Sequence, residues 1–469
     1  MWVLREPCDG QARGSTSATT AWFHRELPQE DATVMRYSFA LLVFCVSAGF
    51  GQDWNQFRGP NGDGTTKVAG LPTEFSEDTA TWKTPLSGRA WSSPVVWGNQ
   101  VWLTNAPELR NPTGASNKQA DIAAKEPLEK PIRLSAVCMD LKTGKVLHDL
   151  TVFDVYRPQF THETNSYASP TPVIEEGRLY VHFGTYGTAC IDTKTGKTLW
   201  ERTDLNVIHW RGAGSSPVVH GKLIYLTFDG YDKQFVTALN KETGDTVWRR
   251  DRGIDYGTDN GDYKKAYSTP TIVSVDGRDL LVSPSAIATI AYDAQSGDPV
   301  WTVRHGGMNA AARPLVGNGL VYVNAGDARN ALVAIDPKGQ GDITESNIKW
   351  RLGKLTPKRP SQILAGENYF MIGDGGVAAC LNAKTGDVLW KGRVGGKYWA
   401  SPLYSSGDGL LYFFAQTGKI AVIKAAADEM HLVSQSQLDA GFNASPAIAG
   451  GAMILRSFEH VYRFDVAKK

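Results

Sequence analysis

The sequence predicts an all-β protein, an eight-bladed β-propeller built from four-stranded antiparallel blades. A two-part phrase recurs through the chain, and successive prolines in its first part are 42–53 residues apart from Pro170 onward. A repeat of this length is typical of propeller blades, which bury their apolar faces by stacking on their neighbours. The 469 residues include 48 glycines and are 10% aromatic, a composition that favours many short strands joined by tight turns.

The first part of the phrase is a polar residue, a proline and then an apolar run. Its eight copies are Ser93–Pro94, Ser169–Pro170, Ser216–Pro217, Thr269–Pro270, Arg313–Pro314, Arg359–Pro360, Ser401–Pro402 and Ser445–Pro446. We expect each copy to open the innermost strand of one blade. The longer first interval, from Pro94 to Pro170, contains a polar insert at about residues 106–132.

The second part of the phrase is a Thr-Gly or Ser-Gly turn followed by tryptophan. Full copies end at Trp200, Trp248, Trp301 and Trp390, and degenerate copies end at His148 and Trp350. Glycine supplies the positive φ that a tight hairpin needs. We expect each tryptophan to pack between neighbouring blades, where a large flat ring fills the gap.

The two ends of the chain are predicted to close the ring. The last unit, from Ser445 through HVYRFDV, holds only three strands, and the segment ATWKTPL with Trp82 supplies the fourth. Pairing the ends removes both free sheet edges. The alternative is a seven-bladed ring with an N-terminal segment outside the propeller.

Three cysteines occur in one repeated phrase. Cys138, Cys190 and Cys380 stand in AVCMDLKTG, TACIDTKTG and AACLNAKTG. Equivalent positions in different blades are too far apart for a disulfide, which needs Cα atoms within about 7 Å. We expect all three to be small packing residues.

The N-terminal region differs from the rest of the chain. Residues 35–51, MRYSFALLVFCVSAGFG, have the layout of a secretory signal and are short for a membrane-spanning helix. Residues 1–34 are polar and are interpreted as an extension before a true start at Met35, and residues 52–469 as one propeller domain. An apolar segment with no targeting role is the alternative. We expect a monomer in the periplasm or outside the cell, without a transmembrane helix, and the net charge of +1 does not favour nucleic acid as a partner.

The repeat carries a family resemblance. The pattern SSPVV, LIYLTF, ALN, TG and VW resembles the pyrroloquinoline-quinone (PQQ) repeat of quinoprotein dehydrogenases and covers about residues 80–465. The phrase DWNQFRGPNGDG and the stretch from NSYASPTP to KTLW look like secreted PQQ-like repeat proteins of planctomycete-type bacteria. A related group is the propeller subunit of the outer-membrane barrel assembly machinery, which binds partners and holds no cofactor.

The resemblance to the dehydrogenases implies further features that this sequence lacks. Those enzymes carry an adjacent Cys-Cys pair over PQQ, a Trp below it, a Ca²⁺ held by Glu and Asn, and a catalytic Asp. Here no two cysteines are adjacent and there is no C-x-x-C-H haem phrase. We therefore expect no catalytic residue and no cofactor, with PQQ and Ca²⁺ as the alternative.

The segments before the inner strands converge on one mouth of the channel. The eight residues before each proline contain nine Lys and Arg but three Asp and Glu, and such a funnel attracts anions. The candidate ligand-binding residues are Arg89, Trp91, His162, Tyr167, His209, Trp210, Arg211, Tyr267, Arg313, Arg359, Lys397 and Trp399. The alternative is a solvated rim whose arginines pair with carboxylates of facing loops while aromatic rings fill the channel.

One acidic phrase suggests a metal site. IDYGTDNGDY offers Asp255, Asp259 and Asp262, hard oxygen ligands that suit Ca²⁺. Asp, Asn and Gly are also ordinary turn residues, so a plain loop is the alternative.

Three functions are compatible with these features. The first is a secreted, non-catalytic propeller that scaffolds a protein partner or binds a ligand. The second is a PQQ-dependent alcohol or sugar dehydrogenase. The third is binding of an anionic polysaccharide at the cationic mouth.

Overall fold

The computed structural model of the chain describes residues 53–108, 130–328 and 332–467. These residues all belong to one compact unit, Phe50–Lys469. The predicted extension and signal segment, and most of the predicted insert, lie outside the described residues. No helix within these ranges has the length and apolar character needed to cross a membrane.

Eight sheets form in chain order, each with four antiparallel strands, which confirms the eight-bladed propeller. The seven-bladed alternative is therefore wrong. Blades 4 and 7 each gain a short parallel fifth strand, Gly341–Asp342 beside Trp301 and Thr65–Thr66 beside Tyr404.

In blades 1 to 4 the strands run from the channel outward in sequence order. They are Val95–Trp97, Gln100–Asn105, Ile132–Asp140 and Val146–Val155 in blade 1; Val173–Glu175, Arg178–His182, Thr188–Asp192 and Thr198–Arg202 in blade 2; Val218–His220, Leu223–Asp229, Gln234–Asn240 and Thr246–Asp251 in blade 3; Thr271–Val275, Arg278–Pro284, Ala288–Asp293 and Pro299–Arg304 in blade 4.

Blades 5 to 7 repeat this order, and blade 8 takes its outer strand from the N-terminal side. The strands are Leu315–Gly317, Leu320–Asn324, Leu332–Ile335 and Ile348–Leu352 in blade 5; Ile363–Ala365, Asn368–Ile372, Val377–Asn382 and Val388–Arg393 in blade 6; Leu403–Ser405, Leu410–Phe414, Lys419–Lys424 and Leu432–Gln437 in blade 7; Ala447–Ala449, Ala452–Arg456, His460–Asp465 and Trp82–Pro85 in blade 8. Short 3₁₀ helices are Glu77–Thr79, Gly184–Tyr186 and Gly261–Lys264.

The pairing of Trp82–Pro85 with His460–Asp465 closes the ring as predicted. Trp82 lies opposite Arg463 in this antiparallel pair, and its indole N–H donates to the carbonyl of Leu141 in blade 1 at 2.9 Å. The first and last parts of the propeller are thus joined by backbone bonds within blade 8 and by a side chain across to blade 1.

The outer-strand tryptophans dock on the next blade, as the repeat predicts. Trp248 is 5% exposed, and its indole N–H donates to the carbonyl of Ala294 at 3.1 Å. Its ring lies against Gly297, where a Cβ would overlap with it and where φ is +74°. Trp200 makes the same contact with Gly244, and Trp350 makes it with Gly386. Glycine is required at these turns both for the backbone angle and for the approach of the ring.

The three cysteines occupy equivalent positions in blades 1, 2 and 6. Each is buried in a third strand and faces the fourth-strand residue of the repeated phrase: Cys138 faces His148, Cys190 faces Trp200, and Cys380 faces Trp390. All three are free thiols in separate sheets. Burial raises the pKa of the Cys190 thiol to about 11, so it stays protonated.

Two of the predicted blade starts are wrong by two residues. The first strand of blade 2 begins at Val173, after Thr171–Pro172 rather than after Ser169–Pro170. The first strand of blade 6 begins at Ile363, after Ser361 and Gln362 rather than after Arg359–Pro360. Each first strand begins where its residues pair with the second strand of the blade. The spacing of prolines in the sequence does not determine that pairing.

Candidate functional site

A ring of hydroxyl groups surrounds the channel where the inner strands begin. Seven blades have Ser or Thr two residues before their first strand, and blade 5 has Arg313 there. We call these eight residues the ring positions. They are Ser93, Thr171, Ser216, Thr269, Arg313, Ser361, Ser401 and Ser445. The backbone N–H of one ring position donates to the hydroxyl of the next. The Ser93 N–H reaches Thr171 Oγ1 at 2.9 Å, and the Ser445 N–H reaches Ser93 Oγ at 3.0 Å and closes the ring. These hydrogen bonds connect the inner ends of neighbouring blades.

Arg313 is the one departure from this ring. Its own N–H donates to Ser361 Oγ at 3.0 Å, but it offers no hydroxyl to Thr269. Its guanidinium Nη1 instead donates to the carbonyl of Phe57 at 2.8 Å, and its Nε donates to Thr271 Oγ1 at 3.2 Å. The side chain is 4% exposed, and burial lowers its pKa to about 10. The prediction that Arg313 belongs to an open cationic mouth is wrong, because the side chain holds a segment of the chain itself.

That segment, residues 54–64, crosses the channel, and we call it the plug. Its contacts with blades 1, 2, 6 and 7 are, in that order, the Trp54–Val96 bridge, Asn55 O with Ile174 N, Arg58 Nη2 with Gln362 O, and Gly64 O with Tyr404 N. Gly62 lies against the Arg313 guanidinium, where a Cβ would overlap with it, and has φ +68°. The plug is formed by residues of the sequence DWNQFRGPNGDG. Its glycines turn the backbone, and its two ends pair with inner strands of the propeller.

A cavity of about 280 Å³ opens above the plug at the mouth of the channel; we call it the mouth cavity. Its floor is Phe57 of the plug together with six of the seven ring hydroxyls. All eight blades supply its wall from the residue two before the ring position: Trp91, Ser169, Gly214, Tyr267, Ala311, Arg359, Trp399 and Asn443. In extended chain, residues two apart face the same side, so both tiers face the channel.

The cations that line the mouth cavity are each paired with a carboxylate. Arg211 meets Asp262, Lys358 meets Asp327 and Arg359 meets Asp374, and the nitrogen–oxygen distance is 2.6 Å in all three pairs. The Arg359 guanidinium also stacks over the Trp399 ring, 4.4 Å from its centroid. Of the nine cations counted in the sequence, the three that line the mouth cavity are therefore paired with acids, and Asp327 and Asp374 come from loops outside the counted segments.

Five of the twelve predicted mouth residues line the mouth cavity, namely Trp91, Arg211, Tyr267, Arg359 and Trp399. Three others lie near the mouth but outside the lining: Arg89 stacks over Trp91 at 5.4 Å, His162 bonds Thr164, and Lys397 is solvent-exposed.

Three further predicted residues surround a small separate space or support it. Tyr167 and His209 border a cavity of about 10 Å³. Trp210 packs against Phe160 and Tyr231 at centroid distances of 5.8 and 6.0 Å. His209 is buried, and its carbonyl accepts a bond from the buried ammonium of Lys265. Burial lowers the pKa of Lys265 to about 7, so this amine is only partly protonated near neutral pH. Its role in this contact is structural.

The lining also contains residues that sequence reasoning missed. Phe57 belongs to the plug, and its place under the mouth follows from the tertiary path of the chain. Asn165, Asn309 and Asn443 add amide groups to the lining. Asn443 stands at the same distance before its ring position as Trp399 does, so alignment of the repeats from the inner strand backwards would have found it.

The predicted metal ligands are not brought together. Asp262 is engaged by Arg211 through both carboxylate oxygens at 2.6 and 2.7 Å. Asp255 accepts the Gly257 N–H at 2.9 Å in a local turn. Within the described ranges, no three His, Cys, Asp or Glu side chains are grouped so that they could hold a metal ion. The acidic phrase forms the loop and short helix that hold Arg211.

Comparisons with known proteins agree with this architecture. A family model described as outer membrane protein assembly factor BamB matches residues 95–250 and 232–469. Subunit 1 of methanol dehydrogenase [cytochrome c] from Methylobacterium organophilum is 26% identical over 263 residues, which are 51% of this chain and 39% of that protein. The chain thus matches about two fifths of the length of this relative.

Similar solved structures come from the same two groups. BamB from Moraxella catarrhalis aligns with a TM-score of 0.52 at 12% identity, over 82% of this chain and 99% of that one. A europium-containing methanol dehydrogenase aligns with a TM-score of 0.58 at 11% identity, over 87% and 90%. The quinohemoprotein alcohol dehydrogenase from Comamonas testosteroni gives 0.60 at 11% identity, over 89% and 81%. Identities this low show a shared fold alone.

Proposed function

The chain belongs to the family described as outer membrane protein assembly factor BamB, and we propose that it is a non-catalytic binding propeller. It holds a ligand, or a segment of a partner protein, in the mouth cavity. As a PQQ-repeat propeller it is related both to an assembly factor and to quinoprotein dehydrogenases. The choice between these two relationships depends on the residues at the mouth.

The mouth cavity is the observation that carries the proposal. Binding sites are concave, largely preformed and lined by aromatic groups with a few convergent polar groups. The aromatic rings of Phe57, Trp91, Tyr267 and Trp399 and the six ring hydroxyls meet this description. The volume of about 280 Å³ is close to the lower end of the usual range for ligand sites, about 300–1,000 Å³. We therefore expect a small ligand or the tip of a larger one.

The residues present do not fit PQQ. That cofactor carries three carboxylates, and each cation in the lining already has a carboxylate partner. Buried charge that lacks a partner is costly, so a triply anionic group is disfavoured there. The sequence has no adjacent cysteines to cover the cofactor, and the described residues contain no group of metal-ligating side chains. These points support binding over oxidation.

Export is part of the proposal. Residues 35–51 act as a secretory signal, and residues 52–469 form the mature propeller in the periplasm or outside the cell. The support is the signal-like layout of the sequence and the family description, which names an assembly factor for outer membrane proteins. N-terminal sequencing of the protein recovered from the producing cell would locate the cleavage site.

A cofactor titration tests the proposal. We expect added PQQ with Ca²⁺ to cause no 1:1 change in absorbance and no dye-linked oxidation of alcohols or sugars. Ligands that occupy the mouth cavity should change the fluorescence of Trp91 and Trp399, and Trp399→Ala should remove most of that change. A stoichiometric PQQ spectrum with turnover would contradict the proposal and favour the dehydrogenase function.

A further inference from the structure

We infer that the mouth cavity binds a neutral saccharide and takes the terminal residue of the chain. This inference rests on the proposed function, because it names the ligand class of the same cavity. It differs from the anionic ligand predicted from the sequence. Four features of the cavity lead to it.

The ring hydroxyls supply donors without charge. Ser93, Thr171, Ser216, Thr269, Ser401 and Ser445 line the cavity floor and are at most 5% exposed. All six accept a backbone N–H from another ring residue at 2.9–3.0 Å. None of the six donates its own O–H to an acceptor among the described residues. The floor thus presents several O–H groups to whatever enters the cavity, and buried polar groups need such partners.

The walls supply flat apolar faces on several sides. Trp91, Tyr267 and Trp399 stand at the same position of blades 1, 4 and 7, so they are spread around the channel. Aromatic rings offer large apolar area together with a polar edge. A pyranose has C–H faces that stack on such rings and hydroxyls at its edge that both donate and accept. Rings above and hydroxyls below therefore match the two kinds of surface of a sugar.

The balance of charge selects a neutral sugar over an acidic one. The lining cations Arg211, Lys358 and Arg359 are neutralised at 2.6 Å by Asp262, Asp327 and Asp374. An added carboxylate would have to lose its water and compete with an existing acid for each cation. Hydroxyl groups meet no such competition. Asn309 and Asn443 add amide groups to the lining, and these are also polar without being charged.

The floor of the cavity limits the ligand to one end of a chain. Phe57 closes the cavity from below, and its carbonyl is held by Arg313 at 2.8 Å. A polymer cannot pass through the plugged channel, so only its terminal residue can reach the ring hydroxyls. The volume of about 280 Å³ has room for one monosaccharide unit.

The test is calorimetric titration of the full chain with three sets of probes. The first set is neutral methyl glycosides and disaccharides, the second is the matching uronic acids, and the third is capped tripeptides. We expect at least one neutral saccharide to bind 1:1, about tenfold or more tighter than its uronic acid. Its affinity should change less than about twofold between low and high salt, since screening weakens only charged contacts.

Variants locate the binding. Trp399→Ala should weaken binding of the neutral saccharide about tenfold or more. Trp210→Ala is the matched control, because Trp210 packs against Phe160 outside the lining of the mouth cavity, and it should change affinity less than about twofold. Asp327→Asn releases Lys358 and should add binding of uronic acids, with thermal unfolding as the check on folding.

The outcomes separate this inference from the proposed function. If uronic acids or tripeptides bind best, and Trp399→Ala removes that binding, the saccharide inference fails while the binding propeller stands. If no probe binds in a way that Trp399→Ala affects, both fail. Tight binding by a neutral saccharide that Trp399→Ala removes and Trp210→Ala retains supports both.

Discussion

Replacing Arg313 by serine tests whether this side chain holds the plug while the ring hydroxyls hold the blades together. The change supplies an eighth hydroxyl where the other seven ring positions have Ser or Thr, so the N–H of Thr269 gains an acceptor. It also removes the guanidinium that holds the plug at Phe57 O (2.8 Å) and, through two weaker bonds from Nη1 and Nη2, at Gln56 Oε1 (3.3 Å each). We expect the propeller to stay folded while the plug opens more often.

The magnitude follows from the bonds that are lost. Hydrogen bonds from a charged donor contribute about 1.5–3 kcal/mol each, and the two long bonds to Gln56 count as one weak bond. The free energy of opening the plug should therefore fall by about 2–4 kcal/mol. Since each 1.4 kcal/mol is a factor of ten, amide hydrogen exchange of residues 54–64 should accelerate roughly 30- to 1,000-fold.

Hydrogen exchange with mass spectrometry measures this change peptide by peptide. Arg304→Ser is the matched control, because Arg304 is half-exposed and pairs only at the surface with Asp342 at 3.3 Å. That control should leave exchange in the plug unchanged. The reasoning is refuted if Arg313→Ser leaves exchange in residues 54–64 at the wild-type rate, or if it unfolds the blades as a whole.

Three further predictions concern stability. Trp248→Ala should lower the free energy of unfolding by about 3–5 kcal/mol, because it opens a cavity against blade 4, and a loss under 1 kcal/mol in urea titration would contradict the docking. Deletion of residues 52–90 removes the outer strand of blade 8 and the plug, so the thermal midpoint of the whole ring should fall; an unchanged midpoint would count against closure. Burial lowers the pKa of His305 to about 4, below its usual 6.5, so the unfolded chain binds the extra proton between these values and stability rises with pH there. His305→Asn should remove about 1.4 kcal/mol per pH unit from that slope, measured by urea unfolding at several pH values between 4 and 6.5, and an unchanged slope would show that another group titrates.

The fold was predictable because its determinants repeat. The Thr-Gly turn and the tryptophan after it recur with the same spacing, and each pair specifies one contact between neighbouring blades. Closure by Trp82 was predictable for the same reason, since the last unit lacked the strand that this tryptophan marks. The starts of blades 2 and 6 at Val173 and Ile363 were not, because two candidate positions lie close together and only hairpin pairing separates them.

The site was predictable only in part. Converging loops placed Trp91 and Trp399 at the mouth, because residues at a fixed distance before the inner strand share one face. The charge of the mouth was not predictable from those segments alone. Asp327 and Asp374 come from other loops of the blades, and their pairing with Lys358 and Arg359 depends on the folded arrangement. Arg313 was misplaced because a basic residue before a proline looks the same whether it faces solvent or the plug.

The repeat separates positions that fold the ring from positions that are free to define a ligand. Ring hydroxyls and docking tryptophans form hydrogen bonds with a neighbouring blade, and turn glycines pack against those tryptophans, so a change at any of them weakens an interface between blades. The residue two before each ring position faces the channel and varies widely, from Gly214 and Ala311 to Trp91 and Trp399. Variation there changes the shape and chemistry of the mouth cavity at little cost to the ring. The chemistry of binding should therefore be encoded in this tier. Its three aromatic residues, together with lining cations that already have carboxylate partners, are the reason that we expect an uncharged ligand.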